Sequence, residues 1–196
     1  MAPLRGLQPS NLKVGFGGTV GPTNPVEEVS WTDCQRVLAR LRLELPSEAQ
    51  WEFACRGGTT SAWWTGSGLG NLVGKVNVAG RAYVRVGGPA ALTADWPEFD
   101  DGFGVHHPVG RLAVNPYGLH EVHGNIGEWC FDAYLGYDSS PVTDPRPDAG
   151  SNANRVLRGG HWNNSLTASR SSHRVDGTPS FTSDSFGVRP ARRLTP

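Results

Sequence analysis

The sequence predicts a single mixed α+β domain of short elements joined by many turns. Three observations carry that reading. The 26 glycines and 15 prolines among 196 residues leave room for few long helices or strands. Capping signatures at Ser30-Trp31-Thr32-Asp33 and Ser47-Glu48-Ala49-Gln50 mark the starts of two short helices. Between Gly110 and Asp132, turn residues alternate with Tyr117, Leu119, Val122, Ile126 and Trp129, which suits short antiparallel strands joined by tight turns. The length fits one core rather than two. The apolar share is only 37%, but seven Trp, seven Phe and four Tyr supply large surfaces to bury.

Residues 1–23 read as an irregular lead-in with a short strand around Leu12 to Phe16, and residues 24–196 as the domain. Pro25 to Val29 is extended. The first helix then runs to about Leu41 with Val37, Leu38 and Leu41 on its inner face. The second carries Trp51, Phe53, Ala54 and Cys55 and stops at Gly57-Gly58. Thr59 to Asp101 is too long for an ordinary loop unless something pins it, as a bound cation would. Ala133 to Asn154 is polar and proline-containing, a surface loop, and Val156 and Leu157 begin a core strand.

Eighteen basic and eighteen acidic side chains give a formal net charge of zero, so nothing argues for nucleic acid or an anionic membrane as partner. No stretch is long enough to span a membrane. The start, MAPLRGLQPSNLKVG, lacks the marks of a signal peptide. That predicts a cytoplasmic protein, or one held at a phage or cell surface by another component. Cys34, Cys55 and Cys130 share no metal-ligand or redox spacing and read as buried small hydrophobes. The six histidines include His120-x-x-His123, but residues three apart on an extended segment face opposite ways. They are expected to be solvent-facing or hydrogen-bonded rather than metal ligands.

Three separated stretches, PVEEVSWTDCQRVLARLRLELPSEAQWEFACRGG, NPYGLHEVHGNIGEW and RVLRGGHW…SRSSHR…FGVR, together resemble the formylglycine-generating enzyme (sulfatase-modifying factor) family. The resemblance spans roughly residues 24 to 189 and implies a C-type lectin-like fold with little regular secondary structure. Oxidases of this family place two cysteines shortly after the RGG-aromatic motif to hold copper and handle a substrate thiol. Here those places fall on Asn164 and Ser169. Neither replaces a thiolate for Cu(I), so no copper and no catalytic residue are expected. The resemblance also implies a pair of structural calcium sites. One falls on the Asn77 side chain, the Val78 carbonyl, the Asp101 side chain and the Phe103 carbonyl. The other falls on Glu121, Gly124, Ile126 and Glu128, with Glu121 longer than the residue relatives often carry there.

Residues 155–189 further resemble one branch, the variable proteins of diversity-generating retroelements, in which this segment is a hypervariable binding region. Adenine-directed mutagenesis at asparagine codons omits Lys, Glu, Gln, Met and Trp; from His161 to Phe186 the chain has none of these but Trp162. The resemblance therefore implies a ligand surface over 161–186. Its members are His161, Asn163, Asn164, Ser165, Thr167, Ser169, Ser171 and His173, continued by Val175, Asp176, Thr178, Ser180, Phe181, Thr182, Ser183, Asp184 and Ser185. Short polar side chains adapt to many partners at small entropic cost. Beneath them, Arg158, Arg170, Arg174, Arg189 and a buried Trp162 are expected to form a framework. The expected function is non-catalytic binding of a protein or glycan. The alternative is an oxidase or enzyme accessory domain lacking the cysteine pair.

Overall fold

The computed structural model describes residues 21–137 and 140–193; the expected strand around Leu12 to Phe16 lies outside them. Helix α1 (Trp31–Arg40) starts where Ser30 Oγ accepts the Asp33 N–H. The Ser30 hydroxyl also donates to the Asp33 carboxylate at 2.6 Å. Helix α2 (Glu48–Arg56) has both halves of its capping box, Ser47 with Gln50, and ends on a left-handed Gly57. Strands β1 (Gly127–Ala133), β2 (Arg155–Arg158), β3 (Arg174–Gly177) and β4 (Phe186–Gly187) form one sheet in the order β3-β2-β1-β4. The pairs β1–β2 and β2–β3 are antiparallel, but β4 joins β1 in parallel.

The sheet's period of two separates its faces. Trp129 and Leu157 pack with Cys34 and Leu38 of α1 and with Leu45. Their neighbours Cys130 and Val156 pack with Trp51 and Cys55 of α2 and with Val122. The inner stripe of α1 is thus the Cys34/Leu38 pair, one helical turn apart. Of the three residues expected there only Leu38 is buried. Val37 is 44% and Leu41 56% exposed, because the helix ends at Arg40 and its buried stripe runs through 34 and 38.

The long stretch after Gly58 contains more structure than expected: helix α3 (Arg81–Arg85) and turns of 3-10 helix at Leu69–Leu72 and Ala90–Thr93. An apolar cluster of Trp63, Leu72, Val76, Val78 and Phe99 with Leu166 secures it. Asn77 is bridged to the 123–125 turn: its N–H donates to the His123 carbonyl, and its own carbonyl accepts the Asn125 N–H at 2.8 Å. Gly124 permits that approach. Its φ is +85°, and a Cβ there would lie 1.9 Å from the Asn77 carbonyl oxygen. Gly124→Ala is accordingly expected to cost about 3 kcal/mol from backbone strain plus overpacking. Urea denaturation checks this, and a loss within about 0.5 kcal/mol would contradict it.

Candidate functional site

Strand β2 delivers two arginines into the interior. Arg158 is 1% exposed; it pairs with Glu48 at 3.1 Å and with Glu52, and donates to the Ser171 carbonyl at 2.6 Å. Arg174, opposite it on β3, reaches the same Glu48 at 2.6 Å. Arg155 lies 4.0 Å from the centre of the Trp31 ring and bonds Asp148 and the Gly150 carbonyl. Arg189 forks onto Glu128, which also accepts the Trp51 indole N–H at 2.6 Å. Trp162 is buried against Tyr83, its indole 3.4 Å from the Asp184 carbonyl. Four of the five expected framework residues are therefore in place. The exception is Arg170, which is exposed: the chain turns outward there, so its guanidinium faces solvent near Asp95.

The segment over this frame divides in three. Val175, Asp176, Thr178, Ser180, Phe181 and Thr182 are exposed along the sheet-edge strand β3 and the turn after it. His161, Asn163, Asn164, Ser165, Thr167, His173, Ser183 and Asp184 are half-buried. Ser169, Ser171 and Ser185 are buried, so none of these three is surface as the structure stands. Ser169 Oγ accepts the Trp63 indole N–H at 3.1 Å and donates to the Leu166 carbonyl at 2.8 Å. Ser171 sits against Cys55 Sγ. Ser185 Oγ lies 3.0 Å from Asn163 Oδ1 and 2.9 Å from Asp184 Oδ1, next to the contact between His161 Nδ1 and Asn163. The loop is further tied down by backbone, with Thr167 N–H donating to Asp95 and Ala79 N–H to the Asn164 carbonyl. Sequence reading missed Asp95, Glu48 and Glu52. Two arginines in a core strand were the signal, since buried guanidinium groups require carboxylates.

Chemistry by thiol or imidazole finds little support in this arrangement. Cys34, Cys55 and Cys130 are free and buried; burial pushes Cys34 and Cys55 up to about 12 and Cys130 well upward. His123 is buried between two backbone partners, with Nδ1 2.8 Å from the Ser169 carbonyl and Nε2 accepting the Trp64 N–H. Desolvation lowers it to about 4, and it lowers His106 and His161 to about 4 as well. His120 turns instead to the Leu112 carbonyl, so the His120/His123 pair does not converge. His106 and His107 are buried and hydrogen-bonded, through Nδ1 to the Asn24 amide and to the Pro108 carbonyl respectively. Among the described residues no group of three or more His, Cys, Asp or Glu is placed to hold a metal.

The two oxygen sets differ. In the first, Asp101 accepts the N–H groups of Val78 at 3.2 Å and Phe103 at 2.9 Å, drawing 77–78 and 101–103 together. Among the described residues Asn77 Oδ1 is buried without a partner, and no backbone N–H donates to the Val78 or Phe103 carbonyl. Burial raises Asp101 to about 7. Those features fit a hard cation. In the second, Glu121 already accepts the N–H groups of Gly110, Arg111 and Leu112, each at 3.0 Å. Glu128 is taken by Arg189 and Trp51, and the Gly124 carbonyl by the Ile126 N–H. Both carboxylates and the Gly124 carbonyl are thus taken by protein donors, and the set does not fit a cation in this arrangement.

The chain is 34% identical to a formylglycine-generating enzyme of Streptomyces coelicolor over 183 residues, covering 86% of this chain and 52% of the relative. It is 31% identical to the inactive Cα-formylglycine-generating enzyme 2 of Bos taurus, covering 84% of this chain and 49% of the relative. It thus spans about half the length of these relatives. Among solved structures it is similar to Treponema denticola variable protein 1, with a TM-score of 0.70 at 22% identity over 94% of this chain and 77% of that one. That likeness shows the fold, a C-type lectin-like domain of the formylglycine-generating-enzyme type. The model of the sulfatase-modifying factor enzyme 1-like domain matches residues 7–194, and the chain belongs to that family.

Proposed function

We propose that this protein is a non-catalytic ligand-binding member of the family, with a diversified surface in segment 161–186. The observation that carries this reading is the division of that segment. An exposed rim of Val175, Asp176, Thr178, Ser180, Phe181 and Thr182 continues from a frame of buried Arg158 and Glu48 and half-buried Arg174. Substitutions on the rim disturb no internal bond of the frame, which is what a surface free to vary requires. The residues in the thiol positions, Asn164 and Ser169, belong to the loop's scaffold through the Asn164 carbonyl and the Ser169 hydroxyl. The likeness to a variable protein agrees with the reading. The ligand is a protein or a glycan.

The competing enzyme reading rests on the formylglycine-generating enzymes among the relatives. Two measurements separate them. Exposure of a cysteine-containing peptide to the protein with Cu(I) and oxygen is expected to yield no aldehyde; copper-dependent aldehyde formation would establish the oxidase instead. In neighbouring DNA, a near-copy of the codons for 161–186 differing at adenines is expected, and an operon of sulfatases in its place would overturn diversification.

A calcium ion would be held by Asn77 Oδ1, Asp101 and the Val78 and Phe103 carbonyls. It would supply the charge that the buried Asp101 carboxylate lacks and restrain the 59–103 stretch. Chelation is expected to lower the melting temperature by about 5–10 °C, the shift corresponding to saturation near 100 Kd. The Asp101→Asn variant should show no such response. An unchanged melting temperature in the wild type would dismiss the site.

A further inference from the structure

A groove of about 1100 Å³ runs between α2 and residues 132–137 and 140–147, and Ser172 and Arg174 at the start of β3 close one side of it. Its walls gather exposed apolar side chains: Phe53 is 67%, Tyr137 73% and Val142 68% exposed, with Leu135 beside them, although Arg174 lies 4.3 Å from the Tyr137 ring centre and the Tyr137 hydroxyl donates to Glu48 at 3.1 Å. An apolar-walled cleft of this size with a few polar groups is the usual form of a ligand site. Its charged groups decide what it takes. Arg56 is paired with Glu52, Arg146 with Glu44, and Arg174 with Glu48. Asp144 accepts the Gln50 amide. Asp132 stands apart. It is 2% exposed, lines the groove, and spends Oδ2 on the Glu48 N–H at 2.8 Å, yet no cation lies within ion-pair distance among the described residues. Arg146 acts on it only from longer range, and burial raises it to about 6. A carboxylate left without a counter-charge below aromatic and aliphatic walls is matched by a cation on an aliphatic stem.

We propose that this groove binds an alkylammonium group, that of a lysine side chain in a peptide, with Asp132 as counter-charge and Phe53, Leu135 and Tyr137 against the stem. The groove borrows Ser172 and Arg174 from the base of segment 161–186, but none of the exposed rim residues lines it, and the proposal stands whether or not that rim is diversified.

The test uses the full chain and three probes: acetyl-Gly-Lys-Gly-amide, its neutral norleucine counterpart, and n-pentylammonium. Binding is followed by calorimetry and by amide shifts. The lysine tripeptide is expected to bind about tenfold more tightly than the norleucine one, the gain of one charge-assisted contact. That preference should vanish in Asp132→Asn, whose side-chain carbonyl still accepts the Glu48 N–H, and Phe53→Ala should weaken both peptides. Because cation binding requires the carboxylate, wild-type affinity should also fall between about pH 7.5 and about pH 5. Tighter binding of the tripeptide than of n-pentylammonium supports the side-chain assignment; equal or tighter binding of the free amine overturns it. Equal affinity for the lysine and norleucine peptides, or shifts mapping away from α2 and 132–147, overturns the site itself. Should Asp132→Asn fail to fold, the wild-type isostere comparison and Phe53→Ala, which alters an exposed residue, still decide.

Discussion

Arg158→Ala is expected to destabilise the domain by about 3–5 kcal/mol, lowering the melting temperature by about 10 °C. The Arg158 side chain is fully buried, and its guanidinium is shared by Glu48, Glu52 and the carbonyls of Ser171 and Ser172. It also sits 5.4 Å from the Trp51 ring centre. Removing it leaves Glu48 in the interior with Arg174 alone and returns two loop carbonyls to the unpaired state. The cost arises chiefly from charge and dipole left without partners, so Arg158→Met should be nearly as damaging although it fills the volume. Arg158→Lys should recover part of the loss, since one ammonium replaces the charge but not the fork. A double-mutant cycle with Glu48→Gln measures the pair directly. An Arg158→Ala protein within about 0.5 kcal/mol of wild type in urea would show that the network contributes nothing to stability.

The second large effect is at Trp162. The indole fills the space between Ala79, Tyr83 and Val105, with its ring 5.7 Å from Tyr83 in an edge-on arrangement. Trp162→Ala opens a cavity of aromatic size and is expected to cost about 3–5 kcal/mol. Two positions on, Asn164→Ala should stay within about 0.5 kcal/mol, because the bond from Ala79 goes to the backbone carbonyl that alanine retains. The contrast is measurable in one thermal series. The reverse ranking would mean that frame and surface are exchanged in this segment, and with it the proposed binding face would fall.

Local chemistry in the sequence was enough to read the two capped helices, since Ser30, Ser47, Gln50 and Gly57 act on backbone within a turn of themselves. The core strand at Val156 and Leu157 was readable from hydrophobicity, and the family from three motifs in order. The parallel docking of β4, the short α3 inside a glycine-rich run, and the exposure of Val37 and Leu41 were not readable in this way. Each is set by what lies across the sheet or under the loop, far away in the chain. The same holds within the candidate surface. His161, Ser169, Ser171 and Phe181 belong to one polar run in sequence, yet Ser169 is closed under Trp63 and Ser171 against Cys55, while Phe181 faces solvent.

The opening grammar of glycine, proline and capping residues already required a turn-rich α+β domain, and the residues at 164 and 169 already lacked thiols. Only tertiary structure assigned Glu48 and Glu52 to Arg158 and matched Glu128 with Arg189 where a cation was expected. It also left Asp132 with no cation at ion-pair distance among the described residues. The reason is range: caps and turns are satisfied by near neighbours, whereas a buried charge is balanced by whichever group the fold brings to it.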